Sequence, residues 1–409
     1  MRLELGIQKL LVVLSYWVCR ISSRRAGTIS WVVGPTETAG VVHAVSDRLP
    51  QSYSVALTAN RFYSHGYDTA WQPTGRRRSV LRRVFLGPIL FGRLATRARG
   101  FLYVGARGFL LNEPTGRSFE FAFLKRHGLK VACYWCGSDI RSTRLMRELE
   151  RDMGLPNIST YIEFVDPLLA TESHERMVKA RAQTADRFAD IMFTFPTAQR
   201  SYLTKWAEPA FYFIEDSAFD GDDSKFVELD TIVIAHSASS PIIKGTQLVR
   251  SAIERLRRLG YQFEYLELID VPNEQVLTGL KRAHIALNHF YGFTTGIFAL
   301  EAMAARCAVI SSTDGEIETM LPPDANNAVM VTKHHQVYDN LKLLLDEPER
   351  IAPLAQRGHE WAWRYSSATQ AGHLLTSVLG SVLDGTYDST QRATLPVSSL
   401  WGDETTTGT

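Results

Sequence analysis

One carboxylate stands inside an otherwise apolar helical run. It is Glu301, in Gly296-Ile297-Phe298-Ala299-Leu300-Glu301-Ala302-Met303-Ala304, preceded by the turn Gly292-Phe293-Thr294-Thr295 and followed by a buried-strand pattern at 307–311. A carboxylate within such a helix is costly unless something donates hydrogen bonds to it. At the carboxyl edge of a parallel sheet that donor can be a ligand, because the vicinal hydroxyls of a ribose satisfy both carboxylate oxygens. The turn at Thr294, Thr295 and Gly296 offers free backbone N–H groups at a helix N-terminus, where a pyrophosphate can settle. One short stretch therefore supplies both halves of a nucleotide-diphosphate site.

Lys244, in Ile243-Lys244-Gly245-Thr246, sits in a loop leading into a helix. A lysine there can neutralise a diphosphate leaving group, and Gly245 lets the backbone approach closely. The plain alternative is a solvated loop lysine. The segment is not a P-loop, since the four-residue spacer and the preceding glycine are missing. His236 closes a strand at the edge where an interdomain crevice would lie, and competes with a core histidine. Thr294 and Thr295 can donate hydroxyls to phosphate or simply cap the helix.

Strand signals alternate with helical ones along the chain, which predicts parallel α/β layers. The first half carries strands at 29–33, 53–57, 101–104, 131–135 and 191–195, with helices such as 40–49 and 118–127 between them. The second half carries strands at 231–235, 263–269, 285–288 and 308–311. Helices at 246–259 and 273–281 and the Glu301 helix lie between those strands. An acidic, turn-rich stretch at 216–230 marks the boundary. We expect a first domain over 1–220, a second over 226–365, a closing helix over 366–383 and a disordered tail over 384–409, where Thr, Ser and Gly dominate.

With the elements in order, a resemblance emerges. Glu301-Ala302-Met303-Ala304 followed by Ala308-Val309-Ile310 resembles the C-terminal signature of glycosyltransferase family 4, the group 1 glycosyl transferases of GT-B fold. Ala235-His236-Ser237 and Lys244-Gly245-Thr246 resemble the family's loop after the first strand of its second domain, and the segment 271–285 resembles its helix-then-strand unit. The likeness covers residues 230–320 well and the N-terminal half loosely. It implies an α/β protein of GT-B fold, two Rossmann-like domains facing each other across a cleft.

The resemblance also implies a chemistry. A sugar would move from a nucleoside-diphosphate sugar to an acceptor hydroxyl with retention, without a metal and with no cofactor beyond the donor substrate. Glu301 would hold the ribose, and Lys244, Gly245 and the Thr294-Thr295-Gly296 turn the diphosphate; Lys244, Glu301, His236 and Asp139 are the candidate catalytic residues. Gly40 belongs to the first strand-to-helix loop, Gly34 to Gly40, which resembles the loop reaching the diphosphate from the other domain. That loop lacks the spaced glycines of a dinucleotide fingerprint, which argues against a nicotinamide enzyme. Gly137-Ser138-Asp139-Ile140-Arg141 resembles a first-domain motif, where Asp139 would orient an acceptor hydroxyl or pair with Arg141. Three departures stand out. Phe293 occupies the place of the family's sugar-contacting glutamate, Ala238 or Ser239 stands near that of an arginine before the lysine, and Cys136 occupies that of a histidine near the reacting sugar.

Composition sets the outer bounds. At 409 residues, with 45% hydrophobic and 22% charged residues, the chain suits two soluble α/β domains. Four scattered cysteines suit a reducing, cytoplasmic compartment. Cys133 and Cys136 have the spacing of a zinc or redox pair, but strand alternation points their sulfurs to opposite faces, and buried thiols are the expectation. The apolar run 5–18 is shorter than the ~20 residues needed to span a bilayer. A membrane-surface helix and a helix packed on the first domain both remain open.

A basic amphipathic stretch from Arg76 to Arg99 interleaves arginines with aliphatic residues, which fits docking to an anionic leaflet at the inner face of the membrane or a solvated helix face. Nucleic acid is disfavoured, because the interleaved residues are aliphatic rather than stacking aromatics. By family habit the acceptor would be lipid-linked or a growing glycan, in polysaccharide or glycolipid assembly. The rival readings are a non-catalytic GT-B nucleotide-binding protein, favoured by Phe293 and Cys136, and a basic-surface binding module in which Glu301 is structural.

Overall fold

A computed structural model describes residues 2–22, 28–58, 66–71, 76–111, 115–221, 223–227, 229 and 231–402. The first half is built on β1 (Ile29–Pro35), β2 (Tyr53–Ala56), β3 (Thr69–Ala70), β4 (Ala98–Val104), β5 (Lys130–Tyr134) and β6 (Ile191–Phe193). They form one parallel sheet in the order β3-β2-β1-β4-β5-β6. That is the doubly wound order, with its switch point between β1 and β4. Its strands are buried on both faces, so they carry continuous apolar runs rather than an alternating pattern. Helices α1 (Arg2–Ser22), α2 (Val41–Arg48), α3 (Arg76–Ala95), α4 (Ser118–Arg126), α5 (Thr143–Met153) and α6 (Glu172–Phe188) surround it.

The second half repeats the plan with β7 (Val233–Ala238), β8 (Glu264–Ile269), β9 (Ile285–Leu287), β10 (Ala308–Ser311) and β11 (Met330–Val331). Their order, β11-β10-β9-β7-β8, is the other common doubly wound arrangement, again all parallel. Its helices are α7 (Pro241–Lys244), α8 (Thr246–Arg258), α9 (Asn273–Arg282), α10 (Gly296–Ala304), α11 (Ala325–Ala328), α12 (Val337–Asp346) and α13 (Ile351–Ser366). Two Rossmann-like α/β units thus face each other across a cleft, the GT-B arrangement.

Among the described residues, several connections hold the halves together. Thr197 and Ala198, beyond β6, donate backbone N–H groups to Glu318 Oε2 at 3.0 and 2.7 Å. Ile214 exchanges backbone hydrogen bonds with the end of α13 and the residues just after it, to Ser366 and from Ala368. Helix α14 (Ala368–Asp384) then returns to the first half, where Gly372 lies against Arg48 of α2.

The chain beyond α14 corrects an expectation. Residues 385–402 form α15 (Ser389–Arg392) and α16 (Val397–Leu400), and Leu400 and Trp401 are buried. Arg392 makes two hydrogen bonds to the fully buried Glu208, and Trp401 packs edge-on to Phe211 and Tyr365. A Ser/Thr-rich composition concealed these anchors: one charge partner and two large apolar side chains suffice to tie down a short segment. The part of the expected tail at 403–409 lies outside the described residues.

Cys133 and Cys136 do fall on opposite faces of the first sheet. Cys133 is buried with Phe101 and Tyr103, and Cys136 packs beside Tyr134 on the cleft side. All four cysteines are free, and no metal-holding cluster exists among the described residues.

Candidate active site

The cleft encloses a cavity of about 430 Å³, lined from the first half by Thr38, Ala39, Trp135, Cys136, Gln199 and Tyr212, and from the second by Lys244, Asn273, Gly296 and Glu301. This volume lies within the range of small-ligand sites. A side hollow continues from it past Gly40 and Val41, sharing Asn273, Ile297 and Glu301.

Glu301 is carried by α10, whose other faces are buried among apolar side chains. The side chain is 9% exposed and borders the cavity. Asn273 Nδ2 donates to its Oε1 at 2.8 Å, and among the described residues this is the carboxylate's hydrogen-bond donor. Burial raises its pKa to about 7, against the pull of that one amide. A carboxylate with one donor in a buried site still has acceptor capacity for a ligand's hydroxyls. Asn273 is a site residue that sequence reasoning missed; it begins α9, and only the packing of α9 beside α10 brings it to Glu301.

Lys244 ends α7, where Gly245 takes a left-handed φ of 81° and starts α8. The ammonium lies 3.2 Å from His289 Nδ1. Burial first, and then the charge of Arg141 from the first half, lower the pKa of Lys244 to about 8. An anion bound beside Lys244 would offset that repulsion. A Cβ at Gly245 would also press on Phe290, beyond β9, so the turn itself needs a glycine.

Gly296 opens α10 with φ 69° and, with Ile297 and Phe298, borders the cavity. The first backbone N–H groups of a helix lack intrahelical partners, so the positive end of α10 faces the space between Lys244 and Glu301. Thr295 is buried, with its carbonyl accepting from Asn288, and makes no side-chain cap. The Thr294 carbonyl accepts from Thr313, and its side chain bonds Tyr212. Thr294 and Thr295 shape the turn from within.

His236 is fully buried in β7. Its Nδ1 lies 2.7 Å from the Leu287 carbonyl and its Nε2 2.9 Å from Thr246 Oγ1. Burial drops its pKa to about 4, so the ring is neutral. The expectation of a reacting, crevice-facing histidine is corrected: both nitrogens are engaged in joining β7 to β9 and α8. The histidine nearer the site is His289, beyond β9. It is buried beneath the 292–296 turn, with Nε2 unpartnered and its pKa held well below the ordinary value by burial and by Lys244. Nothing in the local sequence distinguished His289 from His284, which bonds to the Val233 N–H and the Lys225 carbonyl.

Asp139 sits one layer behind the cavity. Its Oδ2 accepts from the Cys136 N–H at 2.8 Å, closing the turn after β5, and burial raises its pKa to about 6. Its expected partner, Arg141, donates instead to the Ala198 carbonyl. Gln199 stands at the cavity wall here: its Nε2 donates to the Trp135 carbonyl and its Oε1 is buried without a partner, while the Trp135 indole turns to the other face of the sheet, beside Arg117.

Phe293 does not face the cavity. It packs with Met146 and Leu149 of α5, closing a small apolar contact between the halves. The position where the resemblance would place an acid is a hydrophobic plug. The basic run at 76–99 divides: Arg83 turns inward to the Gly108 carbonyl at 2.9 Å, Arg99 meets Asp384, and Arg93 stays exposed.

Solved structures show partial likenesses to this arrangement. Sucrose-phosphate synthase from Thermosynechococcus elongatus is 13% identical over 81% of this chain and 84% of its own, with a TM-score of 0.49. UGT2 of Phytolacca americana, solved with UDP-2fluoro-glucose and pterostilbene, is 10% identical over 87% of this chain and 100% of its own, at 0.47. WaaG, a glycosyltransferase involved in lipopolysaccharide biosynthesis, is 13% identical over 75% of this chain and 97% of its own, at 0.41. These likenesses concern overall arrangement and carry no argument about substrate. No family model and no curated protein matches the sequence.

Proposed function

We propose that this protein is a glycosyltransferase that takes a nucleoside-diphosphate sugar in the cleft and transfers the sugar to an acceptor hydroxyl. The observation that carries the reading is the convergence on one cavity of Glu301, Lys244 and the N-terminus of α10. The spacing suits one ligand: hydroxyls for the carboxylate, and a diphosphate for the lysine and the helix dipole. In this reading the ribose lies against Glu301, near Gly40, and the diphosphate lies at Gly296 and Lys244.

Chemistry follows from charge. As the bond between the anomeric carbon and the diphosphate oxygen breaks, negative charge grows on the leaving group. Lys244, Arg141 and the α10 dipole stabilise that charge in a low-dielectric site, the work a divalent cation does elsewhere. The acceptor oxygen, reaching past Gln199, bonds the anomeric carbon beside the departing diphosphate, and its proton passes to the departing phosphate oxygen. Attack from the face the diphosphate leaves retains configuration. The free cysteines agree with a reducing compartment, where nucleotide sugars are at hand.

Phe293 favours a second reading, a nucleotide-binding GT-B protein without turnover, because the acid that would contact the sugar is replaced by an interdomain plug. Purified protein incubated with a panel of nucleotide sugars separates the two. Thermal stabilisation with slow nucleotide release, both lost in Lys244→Ala, supports transfer. Stabilisation without release supports the second reading, and no response to any nucleotide overturns both.

A further inference from the structure

The most unusual surface of the molecule is on the opposite side of the first sheet from the cleft. Of 21 exposed large apolar side chains among the described residues, 12 lie on α1 and α3, which pack against each other. The packing has a clear cause. Gly92 of α3 brings that helix against the α1 backbone, where a Cβ would stand 2.6 Å from the Val12 carbonyl oxygen. Val12 and Tyr16 fill the inner side, and Gln8 makes a reciprocal pair of hydrogen bonds with the Leu111 backbone.

The outer side of α1 inverts the usual pattern of a surface helix. Leu10, Leu14, Trp17 and Ile21 recur at helical spacing and are 51–85% exposed. Leu81, Phe85, Leu86 and Ile89 continue the strip on α3, at 39–57%. Exposed apolar area of this kind marks a binding surface. In sequence the two helices carry nine basic residues against the single Glu4; Arg83 turns inward, and the others still leave a cationic excess in a chain whose net charge is +2. A second copy of the chain docked symmetrically on this face would set like charge against like charge, which disfavours self-association. No helix among the described residues is long and apolar enough to cross a membrane.

We propose that the paired outer face of α1 and α3 docks in the plane of an anionic phospholipid bilayer, its apolar strip in the interface and its arginines among the headgroups. The inference does not depend on the transferase reading. Gln8 and Arg83 anchor the two helices to the first half, bonding to the backbone of Leu111 and Gly108 in the loop after β4.

Co-sedimentation of the full chain with vesicles of phosphatidylcholine, alone or with one quarter phosphatidylglycerol, tests the proposal. We expect binding to the anionic vesicles that is at least about tenfold tighter than to the neutral ones and weakens with salt. The double variant Leu14→Glu/Phe85→Glu should lose about tenfold or more of that binding, while its thermal midpoint stays within a few degrees of wild type. Equal binding to both vesicles, or an unaffected double variant, overturns the proposal. So does a lipid-free dimer that the same substitutions dissociate, which would assign the face to a second copy.

Discussion

Asn273 Nδ2 lies 2.8 Å from Glu301 Oε1, and the residue pair joins α9 to α10 at the floor of the cleft. The amide orients the carboxylate without supplying enough hydrogen bonds to make its burial comfortable. The site is thus prepared for a ligand that brings donors of its own.

Glu301→Gln should separate stability from function. The pKa of Glu301 is raised from 4.5 to about 7, so between those values the folded chain holds a proton that the unfolded chain has released. Its contribution to stability is therefore best below that window and is lost as pH rises through it. At pH 8 the glutamine variant should be more stable than wild type without nucleotide, by roughly 1–3 kcal/mol. Its nucleotide affinity should fall about tenfold or more, since an amide offers fewer acceptor sites to a diol. Denaturant melts and calorimetric titration read the two effects.

Nucleotide affinity should peak in a narrow pH range. Below about 7 Glu301 takes up a proton and becomes a poorer acceptor; above about 8 the unliganded Lys244 loses its charge. Each limb should approach roughly tenfold per pH unit. In Lys244→Arg the alkaline limb should disappear, because guanidinium stays charged. Titrations from pH 6 to pH 9 check this, and a flat wild-type profile would separate binding from both groups.

Phe293 is expected to matter for the joint between the halves rather than for the sugar. Phe293→Ala should cost about 3 kcal/mol through loss of contacts to Met146 and Leu149. Phe293→Glu should cost more and confer no turnover, because the new carboxylate would be buried among apolar side chains. Urea unfolding and nucleotide-release assays on both variants test this.

Glu208 makes a further test possible. It is fully buried and accepts from Trp206 and Tyr387 as well as from Arg392. Arg392→Ala leaves a buried carboxylate without its counter-charge, at a cost of about 3 kcal/mol. Arg392→Ala combined with Glu208→Gln should recover part of that loss. A single variant as stable as wild type would show that the segment after α14 contributes little to holding the halves together.

The sequence by itself determined the layers. Apolar strand runs alternating with amphipathic helices allow only parallel, doubly covered sheets, and the isolated Glu301 in an apolar helix announced a buried carboxylate in want of donors. Lys244 and the Gly296 turn were legible for the same reason: a helix start beside a strand end has a fixed electrostatic sense whatever surrounds it. Tertiary structure decided which residues share a space. Asn273 meets Glu301, and the charge of Arg141 is felt at Lys244, only because elements distant in sequence pack together. His236 lost its candidacy because both its ring nitrogens found partners inside the second sheet. Phe293 became a plug because α5 of the other half lies against it, and the Ser/Thr-rich end found order in Glu208 and Phe211. Local pattern carries backbone conformation and burial, whereas a site is a set of non-local distances that only the packed chain can set.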